Sequence, residues 1–115
     1  MKTKSEIFIS EESTNWETVG EGVNRQILGY DGQLMIVKVK FEKGAIGSEH
    51  AHYHSQSTYV ASGVFKFQVG DESQIVKTGD GIYIAPDVKH GVTCIEAGIL
   101  IDAFSPMRED LLKSK

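Results

Sequence analysis

Three of the four histidines in this 115-residue chain, His50, His52 and His54, fall within five residues. The fourth, His90, lies in a second punctuated segment, GDGIYIAPDVKHG, over 79–91. A neutral imidazole is the commonest protein ligand for a divalent transition metal. His50 and His52 are two apart, so on an extended chain both rings leave the same face. Gln56 can add an amide oxygen. A straight strand would carry Gln56 about 20 Å from His50, at roughly 3.3 Å per residue. Ligand bonds of about 2.1 Å cannot span that gap. If Gln56 shares a metal with His50, the chain must fold back between Tyr53 and Ser55. The same turn would move His54 off the metal, to line the mouth of the site or to bind a group that supports a ligand.

A second constellation is Asp102, Phe104 and Arg108 in ILIDAFSPMRED, 99–110. Asp102 and Phe104 share a strand face with Leu100, while Ile99, Ile101 and Ala103 take the other. Both faces are rich in apolar residues, which predicts a central strand. An ionised aspartate there needs a partner or a task. Two readings stand side by side: an ion pair with Arg108 or Lys89, or proton transfer.

These residues must be placed by strands. Gln33 to Glu42 alternates cleanly, with Met35, Val37, Val39 and Phe41 on one face and Lys38, Lys40 and Glu42 on the other. Further short strands are predicted at 26–28, 58–61, 64–69, 74–78, 82–85, 92–95 and 99–104. Turn residues separate them, among them Asp31-Gly32, Ser62-Gly63, Gly70-Asp71 and Gly98. Residues 1–26 read as an irregular lead-in, with Trp16 covering one end of the core. The one helical signal is terminal: Ser105 suits an N-cap, Pro106 the first helical position, and Glu109 and Asp110 the positive end of the dipole. Many short strands spaced by turns predict an all-β sandwich or barrel.

The stretch from Gly44 to Gly63 resembles the first cupin motif, G-x5-H-x-H-x3-E-x6-G, with Gln56 at the glutamate position. Gly79-Asp80, Pro86 and His90 resemble the second, with Asp87 near its usual glycine. The resemblance implies a jelly roll, with a short C-terminal helix here, and one divalent transition metal held by His50, His52, Gln56 and His90. Such ligands accept Ni, Zn, Mn, Fe or Cu. All four are neutral, so the ion keeps its full double charge, which favours Lewis acidity and anionic substrates. The segments WETVGEGVNRQIL, LMIVKVKFEKGAIG and ILIDAFSPMREDLL look like the KdgF type of pectin- and alginate-degradation cupin. That resemblance implies conversion of 4,5-unsaturated monouronates to linear keto forms, without a redox cofactor. Asp102, Phe104 and Arg108 would be its catalytic residues. Other small cupins are dioxygenases, or modules that only bind a sugar or effector.

Composition sets the remaining bounds. The chain predicts a single domain over 1–115, with an apolar fraction of 40% and a charged fraction of 24%, as in soluble globular proteins. Its net charge is −4 and only Lys2 and Lys4 crowd together, which argues against nucleic acid as a partner. Cys94 is the one cysteine, so no internal disulfide is expected. Ile7-Phe8-Ile9 is too short for a signal-peptide core, and no stretch approaches a membrane span. A cytoplasmic protein without a membrane partner is expected, with a small carboxylated sugar as its ligand. A homodimer is expected too, because small jelly rolls leave sheet edges and an apolar face to cover.

Overall fold

The structure is a computed structural model that describes residues 3–113, so Lys2 of the Lys2–Lys4 pair lies outside it. Eight strands and one short helix follow in order: β1 (Glu17–Gly20), β2 (Val23–Asp31), β3 (Leu34–Phe41), β4 (Ile46–His50), β5 (Ser55–Val69), β6 (Glu72–Lys77), β7 (Gly81–Ile84), β8 (His90–Ser105) and α1 (Glu109–Lys113). All strand pairs are antiparallel. No helix among the described residues is long and apolar enough to cross a membrane.

The two longest strands, β5 and β8, form one ribbon, paired from Ser55↔Ser105 to Val69↔His90. The end of this ribbon near Ser105 carries β3 on one side and β7 on the other. The end near His90 carries β4 and β6. With β2 and β1 beyond β3, the order is β1-β2-β3-β8-β5-β6. The ribbon thus belongs to both layers of the sandwich, and their inner faces enclose Phe41, Val60, Phe65, Ile84, Cys94 and Leu100. A second cluster, Met35, Val37, Phe104 and Met107, closes one end. The alternation predicted for 33–42 is observed, with Met35, Val37 and Phe41 buried.

Several expected boundaries change. The predicted pairs 58–61 with 64–69, and 92–95 with 99–104, are each one continuous strand. Ser62-Gly63 and Gly98 are not turns; they sit where the ribbon's register slips and bends. A glycine signal is the same for a hairpin and a bulge, so local sequence cannot separate them. A Cβ on Gly98 would overlap the Ser62 carbonyl, and one on Gly63 would lie 2.7 Å from the Glu96 oxygen. Backbone meets backbone here, and no side chain fits. The segment read as an irregular lead-in holds β1 and the start of β2. Gln26, fully buried, staples residues before β1 to the sheet by donating to the Glu11 and Thr14 carbonyls at 3.1 and 2.9 Å. Trp16 does not cover the core. It lies beside Lys38 and Lys40, on the solvent side of β3, 5.7 and 5.4 Å from their ammonium groups. The helix starts at Glu109; Ser105 instead ends β8 and donates its hydroxyl to the Gln33 carbonyl.

The bend gives a direct test. Gly98→Ala is expected to cost about 3 kcal/mol by overpacking, a fall in Tm on the order of 10 °C. Gly32→Ala, with nothing within 4 Å of the new methyl, is the control and should move Tm by no more than a few degrees. Equal melting of the two variants would remove the bend from the list of constraints on this fold.

Candidate metal centre

The fold-back required between Tyr53 and Ser55 is present: β4 ends at His50 and β5 begins at Ser55. Asp87 N–H donates to the His52 carbonyl at 2.7 Å and ties the turn to the loop before His90. Asp87 takes φ 64°, the left-handed region where the second motif usually has glycine and which aspartate tolerates better than most residues. His50 and His90 are cross-strand partners on β4 and β8. Ligand-capable nitrogens of His50, His52 and His90 all lie within 4.8 Å of one another. His54 is outside this group. It is buried and stacked on Tyr53 at 4.0 Å, and its carbonyl accepts from His52 Nδ1 at 3.1 Å.

The three rings are held alike. His50 Nδ1 faces the Ser48 carbonyl at 2.8 Å, His90 Nδ1 the Val88 carbonyl at 2.9 Å, and His52 Nδ1 that of His54. A carbonyl accepts, so each Nδ1 carries the proton and each Nε2 presents a lone pair. His90 Nε2 is buried without a hydrogen-bond partner. His52 Nε2 faces Gln56 Oε1 at 2.9 Å, lone pair to lone pair. Two ligands at right angles on one ion, with bonds of about 2.1 Å, lie about 3 Å apart. An orphaned nitrogen and two facing acceptors are what a cation would satisfy, so the residues present fit a divalent metal. Burial, reinforced by the Arg108 charge, lowers the His52 pKa; burial does the same for His90, reinforced by its histidine neighbours. Both rings are therefore neutral at pH 7, as ligands must be.

Beside the histidines lies a cavity of about 200 Å³ lined by His50, Gln56, His90, Asp102, Phe104 and Arg108. The structure thus brings His50, Gln56 and His90 together with Asp102, Phe104 and Arg108, from both constellations, and leaves His54 outside. Phe104 packs against His52, ring centroids 5.6 Å apart, and Arg108 lies over the Phe104 ring at 5.1 Å. Arg108 is paired through Nε and Nη2 with both oxygens of Asp110, at 2.9 and 2.7 Å. Asp102 is partly buried, and its Oδ1 accepts from the Thr58 hydroxyl at 2.7 Å. Burial raises its pKa to about 6, against the pull of the Thr58 and Gln56 side chains and the Arg108 charge.

Two residues at the cavity escaped the sequence reading. Thr58 bridges Gln56 Nε2, at 3.0 Å, and Asp102. Arg25 lines the cavity from β2, its Nε 3.2 Å from Glu17 Oε1. The signal for Arg25 was a charge sharing strand parity with Val23 and Ile27. For Thr58 it was parity with Gln56, but its place opposite Asp102 needed the register.

Asp102 makes a prediction for the metal-free protein. A raised pKa means that the folded state prefers the neutral carboxyl. That contribution to stability is complete below the unfolded value of about 4 and is lost as pH rises through about 6. Asp102→Asn keeps the shape and cannot ionise. In chelator it is expected to raise stability at pH 8 by on the order of 3 kcal/mol and to bring little gain at pH 4. Calorimetric Tm at the two pH values decides it; a gain equal at both would rule out the buried charge as its source.

Comparison with known proteins places this geometry. The model of the cupin domain family matches residues 37–102. The pectin degradation protein KdgF of Dickeya dadantii (strain 3937) is 46% identical over 107 residues, covering 91% of this chain and 96% of that protein. Among solved structures, an RmlC-like cupin from Shewanella frigidimarina superposes with a TM-score of 0.93 at 45% identity, over 96% of this chain and 99% of that one. KdgF from Halomonas sp. superposes with a TM-score of 0.87 at 34% identity, over 90% and 98%. With its paired sheets, its histidine turn and this degree of identity, the chain belongs to the cupin family, in the group that contains KdgF.

Proposed function

We propose that the protein is a metal-dependent enzyme that opens the ring of a 4,5-unsaturated monouronate and releases its linear keto form. The observation that carries this reading is one cavity lined by Asp102, whose carboxyl pKa is raised to about 6, by His50, Gln56 and His90 and by the Arg108 guanidinium, with a His52 nitrogen within 4.8 Å of those of the other two histidines. The relative named for pectin degradation supports the substrate class. The cavity, of about 200 Å³, is large enough for a monosaccharide. His50, His52, Gln56 and His90 would hold one divalent ion, which when bound supplies Lewis-acid polarisation of a substrate oxygen.

The chain's own residues account for the proton. The substrate carries an enol ether from C4 to the ring oxygen, a carboxylate on C5 and a hydroxyl on C1. At pH 7–8 Asp102 is largely ionised and can take the C1 hydroxyl proton. The C1–O bond to the ring oxygen breaks as the C1 carbonyl forms, leaving an enolate at C5. Asp102 then gives its proton to C4 as the C5 ketone forms. One proton leaves oxygen and one reaches carbon, so the reaction is an isomerisation. Arg108 would hold the carboxylate with its Nη1 donors, because Nε and Nη2 are taken by Asp110. Phe104 forms the wall against which the sugar ring packs. Arg25, paired with Glu17, lines the same cavity.

Purified protein is expected to carry about one divalent ion per chain. It should convert unsaturated galacturonate, with loss of the ultraviolet absorbance of the conjugated enol ether, and lose that activity in chelator. No turnover of unsaturated galacturonate or guluronate by metal-replete protein would overturn the function. Asp102→Asn is expected to lower kcat by roughly 10²–10⁴-fold with metal content intact; a kcat within about threefold of the parent would remove Asp102 as the acid/base.

Arg108→Lys replaces a planar fork by a point charge. It should act mainly on KM, raising it by roughly tenfold or more while kcat stays within a few-fold. A variant with unchanged KM would show that the carboxylate is held elsewhere.

A further inference from the structure

Thr58 stands between the two chemistries of this cavity. It is 1% exposed, and its Oγ1 lies 2.7 Å from Asp102 Oδ1 and 3.0 Å from Gln56 Nε2. A hydroxyl has one proton to give and lone pairs to accept with. An ionised carboxylate only accepts, so the Thr58 proton is committed to Asp102. Toward Gln56 the same oxygen must then accept, and it needs an N–H. The two ends of an amide have nearly the same shape, so packing alone does not choose between them. The hydroxyl does, beside the Asp102 carboxylate that the Gln56 side chain also reaches: it takes Nε2 and turns Oε1 toward His52, 2.9 Å away.

We propose that Thr58 is a positioning residue whose single hydroxyl proton sets the direction of a chain from Gln56 through Thr58 to Asp102. That direction makes glutamine, and not glutamate, the residue that fits position 56. A glutamate there would put a second acceptor against the Thr58 oxygen with no proton left to share, and a buried acceptor without a donor is destabilising. With asparagine at 102 the chain can reverse, because an amide N–H can donate to Thr58 and the hydroxyl can turn to the glutamate. The inference deepens the proposed function and rests on it for the role of Gln56 as a ligand.

A cycle of variants tests it. Tm is measured in chelator at pH 8 for the parent, Gln56→Glu, Asp102→Asn and the double variant, and again with Thr58→Val added to each. Gln56→Glu is expected to lower Tm by about 5 °C or more. Asp102→Asn should recover more than it adds to the parent, and Thr58→Val should remove at least half of that excess. Additive shifts would overturn the chain. So would an excess that persists in the Thr58→Val background, which marks plain repulsion between two carboxylates. Zn²⁺ titration by calorimetry gives a second readout. Thr58→Val should bind Zn²⁺ about 10–100-fold more weakly than the parent, as expected when a ligand loses its orienting partner. Thr58→Ser, which keeps the hydroxyl, should stay within about threefold of the parent. Equal affinities for the parent and Thr58→Val would remove the positioning role. A parent protein that takes up no Zn²⁺ or Ni²⁺ would overturn the ligand role of Gln56, while the melting cycle would still decide the chain.

Discussion

The bend of the β5–β8 ribbon is the constraint on which the site depends. His90 and Phe104 stand at the two ends of a single strand. A straight strand would hold them about 46 Å apart, at roughly 3.3 Å per residue. Here both rings pack on His52, at 5.0 and 5.6 Å. The strand achieves this by turning a corner where Gly98 crosses Ser62 and Gly63, backbone against backbone. Folding the ribbon once lays the histidine end of β8 over its aspartate end. The hydrophobic core and the cavity then follow from the same corner, since both lie between the halves that it brings together.

Inside the corner, burial sets the chemistry. Removing water penalises charge whatever its sign. It keeps His52 and His90 neutral, which suits ligands, and it pushes Asp102 toward protonation, which suits a proton carrier working near pH 6 to 8. The Nδ1 atoms of His50, His52 and His90 are spent on backbone carbonyls, so each ring has one fixed tautomer and one free lone pair. The backbone of the turn therefore orients the ligands, and His54 takes part through its carbonyl while its ring stays off the centre. An ionised Asp102 is costly in such a place. Its nearest partner is the Thr58 hydroxyl, and Arg108, one of the two ion-pair partners that the sequence offered beside Lys89, is paired with Asp110. A protein stabilised by removing the charge of a residue is one that keeps that charge for another reason.

The sequence alone determined the class of fold and most of the cavity's chemistry. Period-2 alternation made 33–42 a strand and showed which face it buries. The reach of a straight strand required a turn at 53–55 if Gln56 is to share a metal with His50, and the chain turns there. Parity placed Asp102 with Leu100 and Phe104, and the apolar residues on both faces made their strand central, between β3 and β5. These readings succeeded because each depends on geometry within a few residues. Tertiary structure decided the rest. Whether Gly63 and Gly98 end strands or bend them depends on what crosses them, and a glycine looks the same in either case. That Thr58 faces Asp102, 44 residues away, depends on the register of the ribbon. Arg108 could be placed near the site by its position after β8, but its pairing with Asp110 and its seat over Phe104 needed the path of the chain past Ser105. Residue types and spacing state what a segment can offer, whereas the partner of a buried polar group is chosen by long-range register, to which local sequence carries no direct signal.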